Sequence, residues 1–250
     1  MWIAKISGVT NLDAAISIDV SNEFAIGVII DDISDVRHIS KFDARRIFAN
    51  LEYCYKIAEI VPKSLDDIFE TFDECNPDMI QVNGKFFDDE NQLISLQSLV
   101  TVPIIGSLFL NKEDLTSNIL DPNPVEAAKK LDMYVSVINL NLPIGYNWKN
   151  EQRRDKIIKL INEIRDNINK PLVVGGGLNN SNVGEVIEKL KPHAIDISSG
   201  VERLTGIKDP LLMREFLELP SLSLGKNNFI FKMLIIFHLC HLYLEIFKSH

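Results

Sequence analysis

Two glycine-rich turns carry the most specific chemistry in this 250-residue chain. In the first, Val173-Val174-Gly175-Gly176-Gly177-Leu178, an apolar run passes into three glycines. Residues without a Cβ let the backbone approach a ligand closely and turn its N–H groups toward an anion. The second, Ile195-Asp196-Ile197-Ser198-Ser199-Gly200-Val201-Glu202, ends another apolar run in small residues with hydroxyls and amides. Either turn alone reads equally as a tight turn without a ligand. Together, at consecutive strand ends late in the chain, they predict a phosphate site centred on Gly176, Gly177, Ser199 and Gly200. Other candidates are thinner. Asp31, Asp32 and Asp35 form an acidic cluster that could act as a base or hold a metal, but it reads as a solvated loop. No spacing of His, Cys, Asp or Glu predicts a metal site, and none predicts an organic cofactor.

The elements that must position these turns alternate regularly. Strand-like apolar runs fall at 3–6, 24–30, 56–61, 78–82, 102–108, 133–138, 171–174 and 194–197, bounded by Gly, Asn, Asp or Pro. Helix-like stretches lie between them, at 11–20, 41–53, 65–75, 125–131, 151–167, 183–190 and 211–219. Leu93–Val100 reads as either a short helix or a loop. Ser64 is placed to cap 65–75, and Asn123 before Pro124 suits the start of the next helix. Eight strands alternating with helices predict a parallel sheet, and eight such units close as a (β/α)8 barrel. An open doubly wound sheet is the alternative. In a barrel the two glycine turns follow strands seven and eight, where phosphate sites are frequent.

Bulk properties narrow the partners. The net charge of −9 disfavours nucleic acid or an anionic membrane as the main partner. Three dispersed cysteines, Cys54, Cys75 and Cys240, read as reduced buried thiols in a cytoplasmic protein. The chain enters a strand-like run at Trp2 with no basic leader before it, so no signal peptide is expected. The barrel is expected over residues 1–219, with an extension over 220–250. Within that extension, residues 229–247 are nearly all apolar and approach a bilayer span in length. His238 and His241 at its centre would be costly in lipid. Three roles stay open for it: a helix packed on the barrel or on a second copy, a membrane contact, or an end without function.

Several motifs then resemble one family. Lys5-Ile6-Ser7-Gly8-Val9-Thr10-Asn11 resembles the K-I-C-G-I-T-N opening of phosphoribosylanthranilate isomerase. Gly27-Val28-Ile29-Ile30 followed by Arg37-His38-Ile39-Ser40 is similar to its second strand and arginine loop, and Asp78-Met79-Ile80-Gln81-Val82-Asn83-Gly84 to its D-x-V-Q-L-H-G strand. Gly176-Gly177-Leu178-Asn179, Asp196 to Glu202, and Gly206-Ile207-Lys208-Asp209-Pro210 resemble its last two strands. The resemblance runs from about residue 3 to 219 in the same order. It implies an Amadori rearrangement of N-(5-phosphoribosyl)anthranilate in tryptophan biosynthesis, without metal or cofactor, on a small phosphorylated sugar, with a homodimer as one assembly. It implies that an acid opens the furanose ring and a base removes the C2′ proton. It also implies substrate-binding roles for Arg37, Asn83 and Asp196; a planar guanidinium suits the anthranilate carboxylate.

This chain departs from the family at both proton-transfer positions. Ser7 stands where the family has the cysteine base, and a hydroxyl needs a strong neighbouring base to do what a thiol does near neutrality. Asn139 falls at or near the family's aspartate acid, and an amide can donate a hydrogen bond but not a proton. Asn83 replaces a histidine, and the glycine-rich loop after strand six is shortened to Asn141-Leu142-Pro143-Ile144-Gly145 before Trp148. Two readings therefore stand: an isomerase with altered catalytic residues, or a barrel that binds a phosphorylated ligand without turnover.

Overall fold

A computed structural model describes residues 2–99, 102–143 and 150–219 of the chain. Eight parallel strands close on themselves: β1 (Ala4–Ile6), β2 (Phe24–Ile30), β3 (Tyr55–Ile60), β4 (Met79–Val82), β5 (Ile104–Phe109), β6 (Val137–Asn141), β7 (Leu172–Gly175) and β8 (Ala194–Ile197). Lys5 closes the ring, pairing with Ala25 of β2 on one side and Asp196 of β8 on the other. Among the described residues eight α-helices follow the strands: α1 (Leu12–Ser17), α2 (Lys41–Phe48), α3 (Leu65–Cys75), α4 (Glu90–Leu99), α5 (Pro124–Asp132), α6 (Glu151–Asp166), α7 (Val183–Leu190) and α8 (Pro210–Leu217). The expected (β/α)8 barrel is therefore the fold, and residues 93–99 are helical, as part of α4.

Local chemistry explains most helix starts. Asn11, Ser40, Asn123, Asn150 and Asp209 each accept a backbone N–H of the first turn. In α3 the Asp67 carboxylate reaches back to the Ser64 amide at 3.2 Å. Helix α7 starts after Asn182, whose side chain makes no cap hydrogen bond. The outer core lies between strands and helices, with Ile157, Ile161 and Ile164 of α6 fully buried in it.

One strand is displaced from its expected position. Residues 133–138 read as strand six, but β6 begins at Val137. The amides of Tyr134 and Val135 both bond to the Leu131 carbonyl and complete the end of α5. Their apolar side chains serve the helix-to-strand turn, so apolar character alone misplaced the boundary. Short pairs extend the barrel's upper end: His38–Ile39 beside the end of β2, and an antiparallel hairpin of Glu202–Leu204 with Ile207–Lys208 after β8. No helix among the described residues is long and apolar enough to cross a membrane. The apolar segment 229–247 and the loop positions Ile144, Gly145 and Trp148 lie outside the described residues.

The end of the barrel opposite the glycine turns is tied by carboxylates. Asp19, after α1, accepts the amides of Glu52, Tyr53 and Cys54 at 2.6, 3.0 and 2.6 Å, fixing the approach to β3. Replacing it orphans three backbone donors. Asp19→Ala is expected to cost about 2–3 kcal/mol in urea denaturation while phosphate affinity of the folded protein stays unchanged.

Candidate active site

Strand alternation builds the barrel interior in layers. The floor is apolar: Trp2, Ala25, Ile57, Ile105, Val137, Val173 and Ala194 pack together inside the ring. Two residues further along the strands the inward positions turn polar. Lys5, Glu59, Gln81, Ser107, Asn139 and Asp196 are all buried there. A buried charge survives only when paired and hydrogen-bonded, and this layer is wired accordingly. The Lys5 ammonium lies 3.0 Å from Asp196 Oδ2 and 3.6 Å from Glu59 Oε1, and it donates to Gln81 Oε1. Gln81 Nε2 donates to Glu59 Oε2 at 3.2 Å and to Asn83 Oδ1 at 3.3 Å. Asn139 Nδ2 donates to Asp196 Oδ2 at 2.8 Å, and the Ser7 hydroxyl donates to Asp196 Oδ1 at 2.6 Å. Asp196 thus accepts from three side chains. Glu59 is less well served, and its Oε1 has no hydrogen-bond partner. Burial pushes the Glu59 carboxyl above the usual carboxylate range against the pull of Lys5, and the Asp196 charge adds to the push.

Ser7 and Asp196 sit just beneath the mouth, each about 5% exposed. Beside them the two glycine turns meet. Gly176, at φ +89°, is pressed against the Leu142 backbone, where a Cβ would overlap the Leu142 carbonyl. A Cβ on Gly200 would overlap the Leu178 carbonyl and lie 2.8 Å from Asn179 Cα, so the turn after β8 rests directly on the turn after β7. Among the described residues the Gly177 and Ser199 amides have no backbone acceptor. The Ser198 hydroxyl donates to the Ser7 carbonyl at 3.2 Å, which ties the second turn to the end of β1.

On the other side of Ser7 lies Arg37. Its stem covers Gly8, where a Cβ would come 2.7 Å from Arg37 Cδ. The guanidinium grips Glu202 in a fork, Nε to Oε1 at 2.6 Å and Nη2 to Oε2 at 3.0 Å, and Nη1 reaches Asp35 at 3.2 Å. Lys208 completes the cluster, 2.8 Å from Glu202 Oε1 and 3.0 Å from the Ser198 carbonyl. Hydrogen bonding to Glu202 raises Arg37 above its ordinary value, and burial lowers Lys208. Burial alone would raise Glu202, but Arg37 and Lys208 override it and bring the carboxyl down to about 2.

The structure therefore brings Ser7, Asn139 and Asp196 into one network and sets Gly176, Gly177, Ser199 and Gly200, where sequence predicts a phosphate site, beside it. Arg37 joins through Gly8, and half-buried Asn83 joins through Gln81. Asp35 serves Arg37, while Asp32 accepts from Ser34 within its own turn. Asn139 lies inside β6 rather than at its end, and Asn141 holds the terminal inward position, half-buried. Sequence reasoning assigned no role to Lys5, Glu59, Gln81, Asn141, Glu202 or Lys208. The available signal was period-two alternation: Glu59 follows Ile57 on the inward face of β3.

Known proteins place these features in context. A family profile described as N-(5'phosphoribosyl)anthranilate (PRA) isomerase matches residues 158–219. The N-(5'-phosphoribosyl)anthranilate isomerase of Methanocaldococcus jannaschii is 28% identical over 228 residues, covering 86% of this chain and 94% of that protein. A phosphoribosyl anthranilate isomerase solved in complex with reduced 1-(o-carboxyphenylamino)-1-deoxyribulose 5-phosphate superposes with a TM-score of 0.67 at 26% identity, over 87% of this chain and 97% of that one. A monomer of the dimeric Thermotoga maritima enzyme superposes at 0.68 and 24% identity, over 89% and 99%, and bears on the fold.

Two outcomes follow from the geometry. Gly200→Ala drives a methyl into the Leu178 carbonyl and should abolish phosphate binding by calorimetry, whereas Ser199→Ala should leave the turn and its amide in place. Glu202 is depressed in the folded state, so its stabilisation is complete above the ordinary carboxylate value and is lost as pH falls toward 2. Between pH 5 and 2 the wild type should lose about 1–2 kcal/mol more than Glu202→Gln in chemical denaturation, after allowance for solvent screening at the rim.

Proposed function

We infer that this chain is a member of the N-(5'-phosphoribosyl)anthranilate isomerase family and carries N-(5-phosphoribosyl)anthranilate through an Amadori rearrangement in tryptophan biosynthesis, a reading supported by the matching profile and relatives. The observation that carries this reading is the Ser7–Asp196 hydrogen bond of 2.6 Å beneath the mouth, beside two adjoining glycine turns. It supplies the strong neighbour that a hydroxyl needs. The ligand of the related structure has three handles in its name: a phosphate, a polyol and an aryl carboxylate. Three features of this mouth suit them.

The phosphate sits at the turns of Gly176, Gly177, Ser199 and Gly200, held by backbone amides at close approach. The ribose then lies over Ser7 and Asp196. The anthranilate extends toward Arg37, whose guanidinium keeps further N–H donors beyond those given to Glu202 and Asp35. Asn83 borders the sugar from β4, and its amide nitrogen enters no hydrogen bond among the described residues. Proton removal at C2′ runs through Ser7: the hydroxyl takes the C2′ proton as its own passes to Asp196 Oδ1. Asn139 steadies Asp196 from the far side rather than acting as an acid, since its amide already donates to the Asp196 carboxylate. The resulting enol tautomerises to the ketone. The reading includes a homodimer as one assembly and a cytoplasmic place, the latter supported by dispersed cysteines.

Turnover of phosphoribosylanthranilate, followed by loss of its fluorescence, is the deciding measurement. Wild type should turn over, Ser7→Ala should lose about 10²–10⁴-fold in kcat, and Ser7→Cys should exceed wild type near neutral pH. If wild type, Ser7→Cys and Ser7→Cys/Asn139→Asp are all silent while inorganic phosphate still binds, the chain is a binding barrel without turnover.

A further inference from the structure

Glu59 is the one carboxyl in the polar layer to which the proposed reaction gives no task. It is 4% exposed and enclosed by β1, β2, β4 and β8. Its Oε1 lies in a notch that only a glycine at position 27 leaves open, next to Ser7 Cα, and accepts no hydrogen bond. The charged groups facing it are Lys5 from β1, Asp196 from β8 and, further off, Lys208 from the hairpin after β8. β2 presents Gly27 and β4 presents the neutral amide of Gln81.

Charge and donors are unevenly shared. One buried ammonium serves two carboxyls, at 3.0 Å from Asp196 and 3.6 Å from Glu59. Asp196 also receives Ser7 and Asn139 in well-formed hydrogen bonds, whereas Glu59 receives one such bond, from Gln81, with Ser7 close enough to pull against its burial. A pair of like carboxyls in a dry site holds one proton between them, and the poorly served member is the one that keeps it. An orphan oxygen is an unfavourable place for a negative charge and a suitable place for a hydroxyl hydrogen. The direction in which burial shifts Glu59 agrees with this placement.

Building on the isomerase reading above, we propose that Glu59 is a positioning residue that stores the ring-opening proton and delivers it through Ser7, in place of the acid that Asn139 cannot be. In the first step the Ser7 Oγ–H proton moves to the furanose ring oxygen as the C1′–O bond breaks, and the Glu59 Oε1 proton replaces it on Ser7. Opening frees rotation about C1′–C2′, so the same hydroxyl can address the second atom. In the next step the C2′–H bond breaks and its electron pair forms the enol double bond. Its proton moves to Ser7 Oγ, and the Ser7 proton moves to Asp196. The carboxyl pair has then lost one proton and regained one. Transfer back through Ser7 restores Glu59, with no outside acid consumed.

Glu59→Gln tests this, because glutamine keeps the shape of a protonated carboxyl and cannot give up a proton to Ser7. Expected is a fall of about 10²-fold in kcat with KM and phosphate affinity unchanged. The alkaline decline of wild-type kcat/KM, set by loss of the Glu59 proton, should be absent in the variant. Glu59→Gln in a Ser7→Ala background should add no further loss. Infrared difference spectra of wild type against Glu59→Gln at neutral pH should contain a protonated-carboxyl C=O band whether or not substrate is present. If that band is absent, or if Glu59→Gln keeps both the wild-type kcat and the alkaline decline, the proposal is overturned and the isomerase reading stands. Silence of both wild type and Ser7→Cys overturns the isomerase reading itself, and the relay with it.

Discussion

A lysine enclosed by eight parallel strands has to be neutralised inside the barrel, because no water reaches it there. Lys5 is fully buried, and the rest of the interior is arranged around that requirement. Its closest carboxylate partner, Asp196, comes from β8, the strand that closes the ring against β1. The same ion pair therefore completes the charge balance and sits on the seam of the fold. Glu59, Gln81 and Asn139 reach the cluster from β3, β4 and β6, so five strands converge on one ammonium. Breaking a buried pair by removing one partner is far costlier than an exposed pair is worth, which makes this layer structural before it is chemical.

The chemical consequence is that Asp196 serves two demands. It balances Lys5 from below and accepts the Ser7 hydroxyl from above. In this chain the mouth is built on the charge that holds the barrel together. Arg37, Glu202 and Lys208 repeat the arrangement at the rim, where one carboxylate lies between two cations and ties the loop after β2 to the hairpin after β8.

Much of this was legible in the sequence, and what was not has physical reasons. Strand order and barrel closure followed from eight alternating units. The two glycine turns were legible as places of close approach, and in space Gly176 and Gly200 abut backbone rather than open solvent. β6 was misplaced because Tyr134 and Val135 are as apolar as strand residues yet finish α5. Glu59 was overlooked because apolar content identifies a buried strand without asking which face each residue takes. Its meaning depends on Lys5, fifty-four positions away in the chain, and proximity of that kind appears only when the sheet closes.

The contact of Gly200 with the backbone of Leu178 and Asn179 has a consequence for how such a barrel can change over evolutionary time. The turn after β7 is the wall against which Gly200 is moulded, and Gly176 in turn abuts the backbone of Leu142. A side chain added to either one meets main chain, which has no rotamer with which to move aside. The two segments therefore form a single heritable cassette, spanning two βα units, that drifts or is transplanted together. The loop after β2, which meets this end through the Arg37–Glu202 side-chain pair, can be rewritten for a new substrate while the cassette remains as it is.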